Sequence, residues 1–257
     1  MSGVVRDHLD VPAQRVGNDS VAVRDVIDQR DGCELFTLRT LTAVRGRSMV
    51  RGDAEAEELL FVVAGRGRLI TPGGEHALEP ETGVVIRAGE RYELDNHSPD
   101  DLSIVAVALH QPLARAGAED APRTPVSHLA DQAAQAATAD REFRIVHDPA
   151  TGCPSATQFV GYIPVGRAPA HYHLYDEVIY VLDGTGVMHM NATQTPLRAG
   201  SCIHLPARTL HTLANSGPGV MRVLGIFRPA GSPAAAFYPD GTPADYASGP
   251  SPAGVAT

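Results

Sequence analysis

The chain has 257 residues but no lysine and no tryptophan, so its 21 basic residues are all arginine. Schiff-base catalysis and the Walker A phosphate-binding loop both require a lysine. The sequence therefore excludes pyridoxal phosphate enzymes, Schiff-base aldolases and P-loop NTPases. The net charge of −9 also argues against a nucleic-acid partner, because phosphate backbones bind basic surfaces.

Cysteine and long apolar segments are scarce as well. The three cysteines, Cys33, Cys153 and Cys202, are an odd number without a Cys-x-x-Cys pair, which favours a reducing compartment over a disulfide framework. No segment approaches the roughly 18 apolar residues of a membrane-spanning helix, and residues 1–10 contain no apolar signal segment. We expect a cytoplasmic protein with no membrane partner.

Glycine and proline, with 25 and 20 residues, are abundant. They separate short segments that are rich in β-branched residues, such as 59–63, 104–109 and 178–182. Short strands with regularly spaced turns are typical of an all-β sandwich or barrel. The chain is long enough for two such domains, each with its own core.

An internal repeat indicates that the β domain is duplicated. Residues 58–107 align without a gap with residues 177–226, and the segment EELLFVVAGRGRL matches DEVIYVLDGTGVM. We therefore assign residues 1–110 to an N-terminal domain and residues 143–238 to a C-terminal domain.

Two segments fall outside the repeats. Residues 111–142 begin with a stretch rich in proline, alanine and charge, which indicates a linker, and residues 128–139 within it are predicted to form a short helix. Residues 239–257 contain few bulky apolar side chains and are predicted to be a disordered tail.

Histidine and glutamate residues of the second repeat are spaced like metal ligands. His171 and His173 are two residues apart, so on a strand both point to one face, and Glu177 follows with the same parity. His211 comes later, after a proline. Three imidazoles and one carboxylate suit Fe, Mn, Co, Ni, Cu or Zn better than Ca or Mg, which prefer oxygen ligands.

The two segments around these residues resemble the signature motifs of the cupin superfamily, HxHxxxExxxxxxG and PxxxxHxxxN. The match covers seven positions: His171, His173, Glu177, Gly184, Pro206, His211 and Asn215. One departure is Arg208, which stands where the family usually has glycine. Two such units in one chain resemble a bicupin.

The resemblance implies a fold and a metal centre. Cupins are small antiparallel, jelly-roll-like barrels, also called double-stranded β-helices, so we expect an all-β chain with two tandem barrels. The family residues that match His171, His173, Glu177 and His211 bind the metal inside the barrel. We predict one divalent transition metal per chain in the second barrel, with Fe(II) as first choice and Mn, Ni, Co, Cu or Zn as alternatives.

The first repeat lacks this ligand set. Tyr92 takes the place of His211, the region that matches His171 and His173 contains no histidine, and Glu58 is the shared ligand position. One carboxylate and one tyrosine make a poor metal site. We predict that this barrel binds no metal and serves structure or the formation of a homodimer.

Further residues of the second repeat are candidates for catalysis and substrate binding. His189 and His204 lie beside the motifs, and either is a candidate general base, as is Glu177 itself. Arg208 is a candidate clamp for an acidic substrate, because a guanidinium can grip a carboxylate, although a surface salt bridge explains it equally well. Substrate contact or ordinary barrel packing accounts for a last group: Gln158, Tyr162, Tyr172, Tyr175 and Tyr180.

The ligand set suggests a reaction class. Four ligands leave two positions open on a six-coordinate metal, enough for a chelating substrate or for one substrate oxygen and O₂. The resemblance implies a corresponding choice, because bicupins include dioxygenases that resemble quercetin dioxygenase, oxalate decarboxylases, isomerases and cyclases. We predict a dioxygenase that acts on a small, oxygen-rich metabolite. The alternatives are a metal-dependent isomerase, cyclase or decarboxylase, and a non-catalytic binding protein.

Overall fold

The computed structural model describes residues 3–111, 124–137 and 140–244. Within these ranges the chain consists of short strands and four single 3₁₀ turns, at His8–Asp10, Gln29–Asp31, Leu129–Asp131 and Pro149–Thr151. The all-β prediction is therefore confirmed. No helix in the described part of the chain is long and apolar enough to cross a membrane.

The described strands lie on both sides of position 140. The described residues before position 140 form β1 (Val4–Asp7), β2 (Gln14–Arg15), β3 (Val21–Ile27), β4 (Phe36–Ala43), β5 (Gly46–Arg47), β6 (Glu57–Ala64), β7 (Gly67–Thr71), β8 (Gly74–Leu78), β9 (Thr82–Ile86), β10 (Glu93–Asn96), β11 (Leu102–Leu109), β12 (Val126–His128) and β13 (Gln135–Ala136). Those after it form β14 (Glu142–His147), β15 (Thr157–Ile163), β16 (Gly166–Arg167), β17 (Asp176–Asp183), β18 (Thr185–Met190), β19 (Thr193–Arg198), β20 (Ser201–Leu205), β21 (His211–Asn215) and β22 (Met221–Arg228).

Each barrel consists of one seven-stranded and one four-stranded antiparallel sheet. In the first barrel the strand orders are β12-β9-β6-β11-β4-β3-β2 and β5-β10-β7-β8. In the second they are β1-β20-β17-β22-β15-β14-β13 and β16-β21-β18-β19. The two lists match strand for strand, so the predicted tandem jelly-roll barrels are confirmed.

The two seven-stranded sheets pack against each other, and side-chain alternation separates two kinds of core. On β17, Ile179 and Val181 point into the second barrel, whereas Val178 and Tyr180 join a core shared with the first barrel. A strand covered on both faces becomes continuously apolar, which is why the run from residue 178 to 182 contains no polar alternation.

Two short strands join sheets outside their own predicted segments. β1, from the predicted N-terminal domain, pairs with β20 of the second barrel, and β12, from the predicted linker, pairs with β9 of the first. The domain boundaries at residues 110 and 143 remain predictions. Each pairing covers the edge of the neighbouring sheet, where unpaired backbone groups would otherwise face solvent.

The predicted helix over residues 128–139 is wrong for the residues described. Val126–His128 is strand β12, Leu129–Asp131 is a 3₁₀ turn, and Gln135–Ala136 is strand β13. Pairing with β9 and burial of Leu129 outweigh the helix propensity of the alanines. Residues 138–139 lie outside the described ranges.

The predicted disordered tail starts too early. Residues up to 244 pack on the second barrel: Phe237 pairs with Tyr172 and with Pro243, and the backbone N–H of Ala244 donates to the Ala236 carbonyl. Backbone hydrogen bonds hold residues 239–244 in place. The disorder prediction considered only the small number of bulky apolar side chains and so missed these bonds. The rest of the predicted tail, residues 245–257, lies outside the described ranges.

Candidate metal centre

Two backbone segments bring the predicted ligands to one end of the second barrel. His171 and His211 form an antiparallel bridge, in which the N–H of each residue donates to the carbonyl of the other at 2.8–2.9 Å. His173 follows His171 by two residues, and Glu177 is the second residue of β17. All four side chains are buried and line one cavity.

The three histidines are close enough to share one ion. A ring nitrogen from each lies within 4.8 Å of the corresponding nitrogens of the others. The ring centroids of His171 and His211 are 4.6 Å apart, and that of His173 lies 5.1 and 5.2 Å from them. This triangle is the size that one metal ion bridges at about 2.0–2.1 Å per bond.

Each histidine is held by a hydrogen bond from its Nδ1 atom to a backbone carbonyl. The distances are 3.0 Å from His171 to Pro169, 2.7 Å from His173 to Ala235 and 2.9 Å from His211 to Thr209. A carbonyl accepts and cannot donate, so each Nδ1 carries the proton. Each Nε2 therefore keeps its lone pair, which is the form that binds metals.

Burial keeps the three imidazoles neutral. It lowers the pKa of His171, lowers that of His173 to about 4, and lowers that of His211 well below its ordinary value. The neighbouring histidines lower the pKa of His173 and His211 further. No proton competes for the three Nε2 atoms at neutral pH.

Glu177 is an acid in an apolar environment. Burial raises the pKa of its carboxyl to about 8, and no cation or hydrogen-bond donor among the described residues offsets this effect. Gly225 on β22 leaves space for the Phe159 ring and for this side chain, because a Cβ there would lie 2.3 Å from Phe159 Cε1 and 3.0 Å from Glu177 Oε1. A buried carboxyl without a partner is typical of a functional site.

The donor set fits a divalent transition metal. Three neutral imidazole nitrogens converge, and a carboxyl lines the same cavity. Nitrogen ligands of this number favour Mn, Fe, Co, Ni, Cu or Zn over Ca or Mg. The carbonyls of Pro169, Ala235 and Thr209 orient the rings, which is the arrangement that fixes ligands in metalloproteins.

The rest of the cavity is mainly apolar and has a volume of about 100 Å³. Tyr175 closes one side: its ring stacks on His173 at 4.6 Å and on Phe227 at 4.0 Å between centroids. Tyr175 therefore supports the His173 ring by stacking. The sequence analysis had left open whether Tyr175 contacts the substrate or packs in the barrel.

The structure places the two predicted histidine bases outside the cavity. His189 is half-buried and lies between Met188 and Met190, whose side chains fill the barrel interior, so His189 points to the opposite face. His204 lies on the face of β20 that is turned away from the interior of the second barrel, with its Nε2 atom 3.8 Å from the Asp176 carboxylate. Neither lines the cavity with the three histidines, so the structure does not bring them together with the candidate ligands, and their role as bases stays a prediction.

Two predicted substrate contacts also lie elsewhere. Gln158 is fully buried between the barrels, and its side-chain amide donates to the Leu60 carbonyl at 3.3 Å. Arg208 is exposed in a turn, where its backbone N–H donates to the His173 carbonyl at 2.7 Å. Its φ of 65° lies in the left-handed region, which explains why glycine suits this position of the motif.

The tyrosines named as possible substrate contacts make packing contacts in the structure, and substrate contact stays a prediction. Tyr162 borders the cavity, but its ring lies under the Arg222 guanidinium at 5.6 Å. Tyr172 stacks on Phe237 at 5.6 Å, and Tyr180 belongs to the core between the barrels.

Two charged residues that line the cavity, Arg141 and Glu142, were not predicted. An Nη atom of Arg141 donates to the Leu213 carbonyl at 2.6 Å. The sequence assigned Arg141 to the linker, so no motif or repeat indicated it. Arg141 and Phe143 are two residues apart, so on an extended chain their side chains point to the same face. Because Phe143 is apolar and also lines the cavity, this spacing was the sequence feature that could have indicated Arg141.

The motif asparagine has a structural role. The Asn215 side chain donates to the carbonyls of Ile163 and Gly219 at 2.8 and 2.7 Å, which ties β21 to the ends of two neighbouring segments. Asn96 makes the equivalent pair of bonds in the first barrel, to Ala43 and Asp100. This part of the motif therefore maintains the barrel in both repeats.

The first barrel has the same backbone frame with different side chains. Arg51 and Tyr92 form the bridge that corresponds to that of His171 and His211. The Tyr92 hydroxyl donates to Glu58 Oε2 at 2.7 Å.

Comparison with known proteins agrees with this architecture. Residues 158–227, from β15 to β22, match the family model of the cupin domain. No curated protein matches the chain by sequence.

Solved structures similar to this chain cover both barrels. A Pseudomonas aeruginosa protein named for induction by glyoxylate is 21% identical, with a TM-score of 0.74 and 88% of each chain covered. The E. coli protein Ylba is 12% identical, with a TM-score of 0.75 and coverage of 89% of this chain and 91% of that chain. Oxalate decarboxylase from Bacillus subtilis, studied for its Mn(II) centres, is 12% identical, with a TM-score of 0.73 and coverage of 93% and 80%.

At these identities the similar structures support the fold and not an activity. The family match shows a cupin domain over residues 158–227, and the repeated strand order and the similar structures give both barrels the same fold, which is consistent with a bicupin.

Proposed function

We propose that the protein is a metal-dependent enzyme that acts on a small, oxygen-rich metabolite, with His171, His173, Glu177 and His211 as metal ligands. The observation that carries this proposal is the convergence of three neutral histidines, each with its Nδ1 proton held by a backbone carbonyl. A hydrogen-bond network without metal would need donors and acceptors that pair with each other. Three Nε2 lone pairs that face one another are all acceptors.

A bound divalent metal would act as a Lewis acid and lower the pKa of a chelated substrate hydroxyl or enol. The residues around it have separate tasks. The histidines stay neutral, Glu177 gives up its proton to become a ligand, and Tyr175 holds the His173 ring by stacking. The apolar walls exclude water, which strengthens electrostatic interactions inside the cavity.

Within this class we propose a dioxygenase, with Fe(II) as the first metal. A cavity of about 100 Å³ suits a small substrate, and a flavonoid would not fit into it. The alternative, an isomerase, cyclase or decarboxylase, needs a base to move protons. Since His189 and His204 lie outside the cavity, that alternative would use Glu177 as its base.

Manganese and decarboxylation remain the second choice because of the similarity to oxalate decarboxylase, a protein with Mn(II) centres. We also propose a cytoplasmic location, because all three cysteines are free and buried in the structure. The homodimer, too, stays a proposal.

Metal analysis of the native protein, followed by oxygen-uptake assays with small hydroxy and oxo acids, tests the function. We expect one transition metal per chain and substrate-dependent oxygen uptake. His171→Ala should remove both, whereas His189→Ala, a histidine of the same barrel outside the cavity, should keep both. A native protein without a transition metal would contradict the proposal, and turnover without O₂ would favour the isomerase or decarboxylase.

A further inference from the structure

The segment that follows β22 crosses the end of the second barrel where the three histidines lie. We call residues 231–237 of this segment the strap. Pro233 and Ala234 line the cavity together with the histidines, and the Ala235 carbonyl accepts from Nδ1 of His173 at 2.7 Å. The strap therefore forms one wall of the candidate metal centre.

The strap is attached to the barrel at both of its ends. At the first end the Gly231 N–H donates to the Thr157 hydroxyl oxygen at 3.1 Å, and the Gly231 carbonyl accepts from that hydroxyl at 3.0 Å. At the other end Phe237 and Tyr172 exchange two backbone hydrogen bonds of 2.9 Å, and their rings stack at 5.6 Å between centroids. These two attachments decide whether the strap stays over the cavity.

The middle of the strap is held much more loosely. Its side chains from 232 to 236 are one serine, one proline and three alanines, and Ala235 is exposed. Among the described residues, two hydrogen bonds join this stretch to the barrel, one from the Tyr175 hydroxyl to the Pro233 carbonyl at 3.5 Å and one from His173 to Ala235 at 2.7 Å. A segment with few buried apolar contacts belongs to the part of a protein that opens locally.

His173 differs from the other two histidines in how its ring is held. His171 and His211 each bond to a backbone carbonyl two residues earlier in the chain, within their own segments. The acceptor for His173 lies 62 residues away, on the strap. The orientation of the His173 ring therefore depends on a closed strap, whereas the other two rings keep their acceptors when the strap opens.

The two nitrogens of the His173 ring connect the strap with the metal position. A cation at Nε2 makes the N–H at Nδ1 a stronger donor, and charge-assisted hydrogen bonds are the stronger ones. The bond from His173 to the Ala235 carbonyl would thus strengthen when Nε2 binds a metal. The closed strap would in return hold Nε2 in its binding orientation, because the coupling between two binding events is reciprocal.

We propose that the strap is a lid that opens over the cavity, and that metal binding by the histidines favours its closure through His173. This inference depends on the proposed function, because it requires a metal at the histidines. Ala235 acts in it as a positioning residue, whose carbonyl orients a ligand ring without touching the metal. The open lid gives a small molecule a route into the cavity, and the closed lid excludes water from it.

Hydrogen–deuterium exchange of the wild-type protein with and without Mn(II) tests this coupling. The Phe237 N–H donates to the Tyr172 carbonyl, so its exchange reports the opening of the strap. We expect Mn(II) to slow this exchange at least about fivefold. The Tyr92 N–H, which donates to the Arg51 carbonyl in the corresponding bridge of the first barrel, is the matched control and should keep its exchange rate.

A variant with an open strap tests the reverse direction. Phe237→Pro removes both the stacked ring and the N–H that hold the strap to Tyr172. Calorimetric titration should show that this variant binds Mn(II) at least about fivefold more weakly than the wild type. Tyr238→Ala, at the neighbouring aromatic residue, is the control and should bind Mn(II) like the wild type, because the Tyr238 ring stacks on no ring among the described residues.

The outcomes separate this inference from the proposed function. If the wild-type protein binds no Mn(II), the proposed function fails, and the lid coupling fails with it. If Mn(II) binds but the Phe237 exchange is unchanged, or slows by the same factor as that of Tyr92, the coupling is overturned while the metal site stands. Wild-type affinity in Phe237→Pro would overturn it as well. If this variant does not fold, the exchange of the wild-type protein decides alone.

Discussion

Metal binding at pH 7 should release about one proton per ion, and that proton should come from Glu177. Burial raises the pKa of this carboxyl to about 8 in the metal-free protein, so about 0.9 of the molecules carry the proton at pH 7. The histidines should contribute almost none, because burial lowers their pKa values, that of His173 to about 4. A carboxylate binds a metal in its ionised form, so the proton must leave.

The number of protons released should fall as the pH rises. With a pKa of about 8 for Glu177, the expected release is about 0.5 proton at pH 8 and about 0.1 at pH 9. A metal-bound water that ionises would give the opposite trend, because it loses its proton more readily at higher pH. The direction of the change therefore identifies the source of the proton.

Calorimetric titration of the metal-free protein with Mn(II) measures this number. Repeating the titration in buffers with different ionisation enthalpies gives the protons released as the slope of the apparent binding enthalpy. Glu177→Gln should bind the metal more weakly and release almost no proton. Glu58→Gln, which changes the buried glutamate at the same position of the first barrel, should behave like the wild type.

Two results would refute the reasoning. Stoichiometric metal binding at pH 7 without proton release would mean that Glu177 stays protonated or is already ionised. Unchanged release from Glu177→Gln would place the proton on another group. Either result refutes Glu177 as the source of the released proton.

Two further predictions concern the ligand assignment and the cysteines. His171→Ala should abolish metal binding, whereas Tyr92→Phe should keep the metal. Tyr92→Phe should lower the free energy of unfolding by about 1–2 kcal/mol, because Glu58 loses its hydrogen bond. Elemental analysis measures the metal and denaturant unfolding measures the stability; a metal-free Tyr92→Phe protein would show that the ligands are misassigned. Burial raises the pKa of the Cys33 and Cys153 thiols to about 12, so thiol reagents at pH 8 should label the native protein about 100-fold or more slowly than the unfolded chain. Rapid labelling of the native protein would contradict the burial of these thiols.

The sequence brought the candidate ligands together correctly where spacing carries geometric information. His171 and His173 share a strand face because they are two residues apart, and the repeat aligned Glu177 and Glu58 as equivalent positions. Alternation also contained the signal for His189, since both of its neighbours are apolar methionines and fill the barrel. Because Met188 and Met190 point into the barrel, alternation along the strand predicts that His189 points away from the barrel interior.

Alternation failed for strands that are buried on both faces. His204 lies between Ile203 and Leu205, and every residue of β20 is buried, so polarity did not indicate which face is the barrel interior. Gln158 on β15 presents the same ambiguity. The face toward the second barrel becomes known only when the packing of the two seven-stranded sheets is known.

Arg141 was missed in the sequence for a different reason. Its position depends on the hairpin of β13 and β14, which the linker composition concealed, and on a bond to Leu213, far away in the chain. The same tertiary pairing explains the helix error over residues 128–139. Local propensity describes a segment in isolation, whereas the edge of a sheet selects an extended backbone.

The two buried glutamates provide an internal comparison that bears on the metal. Both Glu58 and Glu177 lie at the same position of a barrel, and burial raises the pKa of each. In the first barrel the Tyr92 hydroxyl donates to Glu58 and opposes this rise. In the second barrel the residue that replaces Tyr92 is His211, whose Nδ1 proton is already given to the Thr209 carbonyl.

His211 therefore presents a lone pair at the position from which Tyr92 donates a proton to Glu58. Glu177 keeps its own proton at neutral pH, because burial raises the pKa of its carboxyl to about 8. In the proposed metal-bound state Glu177 would lose this proton, and one ion would take the lone pairs of the carboxylate and of the imidazoles. The change from tyrosine to histidine thus replaces a hydrogen bond that is complete in itself with groups that the proposed metal would join.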